Sequence, residues 1–361
     1  MHKATSSSQQ WEGICFDRPS LPISRPCYKY MTYQRGAEDP SLEHLLKRLA
    51  FRHLRLVIKI AEERNLVGAA KRLNMTQPAV TKALREIESM LGVDLFERTN
   101  RGVIPTIYGE ALVAHARLVL TDLSRAAEEI SDLRDGTGGR IAVGTLLAAS
   151  ASLLPDAIVK LKKERPKLAI SIKEGTNDLL LPGLRQGELD LVLGRLPQIW
   201  DCEGLEQETL FQDAGCIVVR AGHPLIGRND LGLHDLLTLD WILPRQQTTL
   251  RRQIDLAFFD EGLAPPSNAV ESVSLLTNRA LIFDAGYVSV WPWQVAQREL
   301  QTGRIAILPV RLRPTEGPVG ITTRLGARLS PAAKMLVTML RKVAEEIPAF
   351  PMPQDRPVIP A

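Results

Sequence analysis

Gln77, Pro78, Thr81, Lys82 and Arg85 share one side of a helical segment whose other side carries Val80, Leu84, Ile87 and Leu91 at i, i+4, i+7 and i+11. The apolar stripe must face a core, so the polar and basic residues face outward. Thr76 precedes them as a cap, and Pro78 stands in the first turn, where proline is tolerated. Charge is concentrated around this helix. From Lys47 to Arg101 there are 12 Lys and Arg against 6 Asp and Glu, while residues 1–46 carry 5 of each sign. The formal net charge of the chain is +4, so everything after Arg101 sums to −2. One short segment therefore holds all the excess positive charge, which suits contact with phosphates. Charge alone leaves a merely solvated basic face open.

The elements that would hold this face read as a helix-turn-helix. Leu54, Val57, Ile58 and Ala61 recur at helical spacing and stop at Arg64. Asn65 caps a short helix from Leu66 to Leu73, and its central Ala69 and Ala70 are small enough to let the next helix cross closely. Gly92 ends the third helix. Val93–Phe96 and Gly102–Pro105 then read as a hairpin with Arg98, Thr99, Asn100 and Arg101 at its tip. Its position makes it a wing reaching an adjacent groove or backbone; the alternative is an ordinary polar turn. Beyond it Leu112, Ala116, Val119, Leu123, Ala126, Ile130 and Leu133 are spaced 4, 3, 4, 3, 4, 3, a heptad seam that favours a paired helix. Gly136-Thr137-Gly138-Gly139 closes that helix as a hinge.

From Ile141 the pattern changes. Strand Ile141–Gly144, helix Leu153–Glu164, strand Leu168–Glu174, helix Asn177–Gln186 and strand Leu189–Gly194 make βαβαβ, which predicts a parallel sheet covered on both faces. A second set follows, with strand Cys216–Arg220, helices Leu250–Glu261 and Val273–Ala285, strand Tyr287–Val290 and helix Trp293–Gln301. Strand Val319–Thr323 and helix Pro331–Glu346 close the chain. Two α/β lobes with crossovers between them make a cleft for a small ligand.

Composition narrows the classes. At 361 residues, 45% hydrophobic and 24% charged, the chain reads as globular with two or three domains. Aromatics at 5% argue against a stacking platform for single strands. No apolar run is long enough to cross a bilayer, and the polar N-terminal segment has no apolar export core, so the expectation is a cytoplasmic protein without membrane contact. Cys15, Cys27, Cys202 and Cys216 form no C-x-x-C pair, and the six histidines show no metal-ligand spacing, so no metal or cofactor is expected. Phosphate-loop, zinc-protease and nucleophile-elbow motifs are missing, which leaves an enzyme with little support. Residues 1–46, with Pro19, Pro22, Pro26 and Pro40, read as a flexible extension, with Met31 as an alternative start. Residues 349–361 read as a Pro-rich tail.

The run AAKRLNMTQPAVTKALREIESMLGVDLFERTNRGVIPT resembles the DNA-binding domain of LysR-type transcriptional regulators. The phrases ERPKLAISIKEGT, LRQGELDLVLGR, VRAGHPL and DAGYVSVWP resemble the effector-binding domain of that family. LRQGELDLVLGRL and RAGHPL are most similar to the branch controlling sugar uptake or aromatic-acid catabolism. The likeness runs from about residue 47 to about residue 348 and implies a three-part fold. An N-terminal all-α winged helix-turn-helix would span 47–107 and a long coiled-coil linker helix 108–135. An α/β two-lobed, periplasmic-binding-protein-like effector domain would span 136–348. Lobe I would take about 140–212 and 306–348, and lobe II about 213–305.

The resemblance further implies a regulator, activator or repressor, whose partners are double-stranded promoter DNA, a small-molecule inducer, RNA polymerase and further copies of the chain as homodimer or homotetramer. Carried over position by position, Gln77, Pro78, Thr81 and Lys82 would read bases, with Thr76 and Arg85 beside them. Arg98 and Arg101 would bind phosphates or enter the minor groove. Thr81-Lys82 stands where the family most often has Ser-Arg, and lysine lacks the planar fork that prefers guanine. Leu112, Ala116, Val119, Leu123, Ala126 and Ile130 would pair the linker helices. The inducer pocket would fall on Thr145, Leu146, Ala148, Ser150, Thr176, Asn177, Arg195, Thr248 and Ser272. Hydroxyls and helix N-termini there suit a carboxylate or phosphate, and the inducer the resemblance implies is a carboxylate or sugar-derived metabolite. Each Ser or Thr could equally be a helix cap. The rival readings are a cytosolic ligand-binding α/β protein, or an enzyme, with an incidental helix-turn-helix.

Overall fold

The computed structural model describes residues 47–348 and 350, apart from 101, 136–137 and 198–201. The N-terminal extension, the tail beyond Phe350, Arg101 and the first half of the glycine hinge therefore lie outside the described residues. Helices α1 (Phe51–Glu63), α2 (Leu66–Arg72) and α3 (Gln77–Leu91) come first. Their ends are set locally: the Asn65 side chain accepts from Gly68 N, Thr76 Oγ1 accepts from Ala79 N, and Gly92 leaves α3 at φ 70°. Leu56, Val57, Ile60, Ala69, Val80 and Ile87 bury together as the first core.

Strands β1 (Phe96–Thr99) and β2 (Gly102–Pro105) form the antiparallel hairpin. Val103 N donates to Arg64 O at 2.7 Å, which docks the hairpin on the end of α1. Helix α4 (Ile107–Asp135) leaves it at a close approach: a Cβ on Gly109 would sit 2.0 Å from the carbonyl oxygen of Leu95. Val113 and Ala116 of α4 then enter the first core. After α4, Gly138 and Gly139 turn the chain at φ 91° and 95°.

Lobe I contains β3 (Arg140–Thr145), β4 (Ala169–Glu174), β5 (Leu191–Arg195), β6 (Leu205–Asp213) and β12 (Gly317–Arg324) in the order β4-β3-β5-β12-β6. Strand β3 runs parallel to β4 and β5, as βαβαβ predicts, but β12 is antiparallel to both β5 and β6, so the sheet is mixed. Helices α5 (Leu147–Ser150), α6 (Leu153–Glu164), α7 (Asn177–Arg185) and α11 (Pro331–Glu346) cover it. Ile141, Leu153, Leu161, Leu191, Leu193, Leu336 and Leu340 form its core.

Lobe II contains β7 (Gly215–Arg220), β8 (Trp241–Leu243), β9 (Val270–Glu271), β10 (Val288–Pro292) and β11 (Ile305–Ile307) in the order β11-β7-β10-β8-β9. Helices α8 (Thr249–Asp260), α9 (Leu275–Ala285) and α10 (Trp293–Leu300) complete it. Here the edge of Phe258 meets Trp241 at 5.9 Å, and Trp241 Nε1 donates to Leu236 O at 2.8 Å. Sequence periodicity misses four strands. β8, β9 and β11 are two or three residues long, and β6 (LEQETLFQD) is too polar to alternate visibly. Because β11 pairs with β7, and Ala306, Leu308, Val310 and Leu312 lie in the lobe II core, the chain returns to lobe I at Gly317 and not at residue 306.

The approach at Gly109 yields a direct test. Gly109→Ala should push α4 off the hairpin and lower stability by roughly 1–3 kcal/mol, the usual cost of overpacking. Urea unfolding followed by far-UV circular dichroism measures it, and an unchanged midpoint would contradict the close packing.

Candidate nucleic-acid interface and effector cleft

The outer side of α3 forms one wall of an open groove lined by Arg48, Gln77, Pro78, Thr81, Lys82, Arg85, Glu86 and Ser89. Within the first turn the side chains order one another. Gln77 Nε2 donates to Thr81 Oγ1 at 3.3 Å, and Thr81 Oγ1 donates to Gln77 O at 3.0 Å. Glu88, two turns beyond Thr81 on α3, accepts from Leu95 N at 2.9 Å and so fixes the helix against the hairpin. Thr76 caps the helix and does not line the groove. Arg98 stands exposed on β1, apart from that wall, and Arg101 lies outside the described residues.

Helix α4 divides the heptad seam in two. Leu112 and Ala116 pack into the core of α1 to α3. Val119, Leu123, Ala126 and Ile130 are exposed, Leu123 by 50% and Ile130 by 68%. Periodicity alone could not separate these roles, because both stripes lie on the same side of the helix. A third strip faces lobe I. Arg125 pairs with Asp190 at 2.8 Å and donates to Gly187 O at 2.8 Å, and Thr121 Oγ1 donates to Gln186 O at 3.3 Å.

Between the lobes lies a cavity of about 320 Å³. Leu146, Ala148, Thr176, Asn177, Arg195, Thr248 and Ser272 line it. Thr145 and Ser150 do not. Thr145 is buried with its hydroxyl on Leu146 O at 3.2 Å, and Ser150 Oγ donates to Leu147 O at 3.1 Å, so both hydroxyls serve their own backbone. Thr248 lines the cavity yet also caps α8 by accepting from Arg251 N. Sequence reasoning missed Glu174, Asn278, Ser289 and Trp291, which reach the cavity from strand ends and a helix interior with no local signature.

Three helices, α7, α8 and α9, start at this cavity, and their N-terminal dipoles favour an anion. Asn177 Oδ1, Asn278 Oδ1 and Trp291 Nε1 are buried there without a hydrogen-bond partner. Leu146, Leu147, Leu250, Val273 and Pro292 supply an apolar wall. Such a site can bind a small molecule that has both a negative group and a partly apolar body, and that satisfies the orphaned amides.

Arg195, at the end of β5, is 9% exposed and donates through Nη1 to Asp213 O at 3.1 Å. Asp213 ends β6, where the chain first crosses between lobes. Beside it Gly215 N donates to Thr315 Oγ1 at 2.9 Å, which joins the two crossovers. Burial pulls the Arg195 guanidinium below its ordinary value, with Asp213 opposing. Burial likewise raises the Asp213 carboxyl from 3.8 to about 6, against the Arg195 charge and the backbone amides of Ala214, Gln294 and Trp293. Among the described residues no group of His, Cys, Asp and Glu could hold a metal ion, and no helix is long and apolar enough to cross a membrane.

Comparison with known proteins covers both halves of the chain. Residues 51–110 match the model of the bacterial regulatory helix-turn-helix protein, lysR family, and residues 134–345 match the LysR substrate binding domain. The HTH-type transcriptional regulator GbpR of Azospirillum brasilense is 36% identical over 308 residues, 85% of this chain and 90% of that protein. The HTH-type transcriptional regulator PcaQ of Agrobacterium fabrum is 32% identical over 301 residues, 83% of this chain and 97% of that protein. A full-length OxyR from Pseudomonas aeruginosa superposes with a TM-score of 0.57 at 26% identity, covering 82% of this chain and 97% of the other. CbnR shares the fold at a TM-score of 0.55 and 24% identity, covering 82% and 99%.

The buried hinge carboxyl makes stability depend on pH in a defined direction. Between pH 3.8 and about 6 the folded chain keeps the Asp213 proton that the unfolded chain has released. This contribution therefore falls as pH rises through that window, by at most about 3 kcal/mol. Asp213→Asn should remove that slope, so urea unfolding should show the variant gaining on the wild type from pH 4 to pH 7. A pH-independent difference would refute the shifted carboxyl.

Proposed function

The chain belongs to the LysR family of bacterial regulatory proteins, and we propose that within it the outer side of α3 and the hairpin read promoter DNA while the interlobe cavity takes the inducer. It is a DNA-binding transcriptional regulator with an effector-binding domain, not an enzyme. Its partners are promoter DNA, a small molecule and further copies of itself, and its target is transcription by RNA polymerase. The observation that carries the residue assignment is the groove beside α3, where an amide, a hydroxyl, an ammonium and a guanidinium share one outward face. Gln77 is suited to adenine, Lys82 to guanine, and Pro78 and Thr81 to a thymine methyl. Thr76 holds the helix start, and Arg85, Arg98 and Arg101 take phosphates or the minor groove.

Val119, Leu123, Ala126 and Ile130 pair α4 with α4 of a second copy, and Leu112 and Ala116 support them from inside the DNA-binding head. Homodimers of this kind combine to a homotetramer. We take the winged helix-turn-helix as 47–107, the linker as 108–135 and the effector domain as 136–348, a division that the order of the elements supports. The cytoplasm is the compartment that fits a promoter-binding protein.

The inducer is a small, partly apolar anion, a carboxylate or a sugar-derived acid. Three helix N-termini and Arg195 favour the charge, the leucines and Pro292 take the apolar part, and about 320 Å³ bounds its size. Footprinting of the purified chain on the intergenic DNA beside its own gene, at two salt concentrations, should show an extended, interrupted site whose protection weakens with salt. Gln77→Ala should cost about 1–3 kcal/mol on that site and little on random DNA, and an equal loss on both would remove Gln77 from base reading. Leu123→Asp should weaken dimerisation and DNA affinity together; a variant still dimeric by light scattering would sink the pairing role.

A further inference from the structure

Arg48 is the one residue of the α3 groove that belongs neither to α3 nor to the match with the family's helix-turn-helix model, which starts at Phe51. It sits exposed ahead of α1, yet its backbone is held from the next residues onward. Leu49 packs against the first core, Ala50 N donates to His53 Nδ1 at 3.2 Å, and Ala50 O accepts from His53 N at 2.8 Å. Burial, with Arg52 adding to it, keeps the His53 imidazole below its ordinary value. Arg48 lines the same groove as Lys82, Arg85 and Ser89, immediately before the anchored Leu49 and Ala50.

That placement has a definite meaning once α3 occupies a DNA groove. A helix about 10–12 Å across fills a major groove about 12 Å wide. A cation on the helix itself reaches base edges; a cation beside the helix meets the backbone that borders the groove. We propose that Arg48, outside the matched helix-turn-helix segment, is a positioning residue that clamps a DNA backbone phosphate alongside α3. The inference rests on α3 being the base-reading helix. A guanidinium suits the task because it presents two parallel N–H donors to phosphate oxygens. A phosphate clamp adds affinity and register without sequence preference.

The test is fluorescence anisotropy of the full chain on two labelled duplexes, one carrying the footprinted site and one of scrambled sequence, across a salt series. Arg48→Ala should weaken both duplexes by a similar factor, roughly five- to tenfold, and should lower the salt slope by about 0.9, the signature of one lost phosphate contact. Arg48→Lys, which keeps the charge, should restore most of that slope. Unchanged affinity in Arg48→Ala would overturn the clamp, as would a loss confined to the footprinted site. Wild-type chain that binds neither duplex would overturn the reading of α3 itself, an outcome distinct from a binding wild type with an indifferent Arg48→Ala variant.

Discussion

One helix carries the mechanical connection between the described halves of the chain, and its packing constrains the rest. Helix α4 begins against the hairpin so closely that Gly109 has no room for a methyl group above the Leu95 carbonyl. Its next turns bury Val113 and Ala116 among α1 to α3. Its middle is held to lobe I by Arg125, which bonds a carboxylate and a carbonyl together. Rotating α4 about its axis would break contacts at both ends at once. The hairpin, the orientation of α3 and the exposure of Leu123 and Ile130 all follow from that fixed rotation. A face that is apolar, exposed and rigidly oriented on a long helix is a surface for another helix.

The cavity obeys a different constraint. Buried polar atoms without partners cost free energy, and among the described residues three gather where the lobes meet: Asn177 Oδ1, Asn278 Oδ1 and Trp291 Nε1. A core built for stability alone would replace them with apolar groups. Arg195 sharpens the contrast, since its buried guanidinium donates to a carbonyl oxygen, that of Asp213, at 3.1 Å. A complementary polar molecule in the cavity would satisfy these groups.

Elements set by local chemistry were legible in the sequence. Asn65, Thr76 and Gly92 mark the helix ends because capping is decided within a few residues. The outward face of α3 followed from its apolar stripe. The heptad seam was legible as a period, but its division was not, since Ala116 faces a neighbouring helix while Ile130 faces solvent at the same helical phase. In the cleft, Leu146, Thr176, Asn177 and Arg195 were reachable through the family pattern. Trp291 and Ser289 were not, because their direction depends on β10 lying between β7 and β8, a fact of sheet order that no local spacing encodes. Thr145 and Ser150 misled for the opposite reason: a hydroxyl near a helix start is more often spent on its own backbone.

The two constraints meet on a single strand. Asp190 lies immediately before β5, where it holds Arg125 of the linker helix and accepts from Ala142 N at 2.7 Å. Arg195 ends the same strand at the cavity. Between them run Leu191 to Gly194, all buried and paired with β3 on one side and β12 on the other. Such a strand does not bend easily, and it spans roughly 16 Å at about 3.3 Å per residue. A ligand that displaces Arg195 from the Asp213 carbonyl therefore acts on an element whose other end grips α4. It can alter the linker only by binding one placement of that strand better than another, since equal affinity for both shifts nothing. A guanidinium shielded from water responds far more strongly to an arriving anion than an exposed one does.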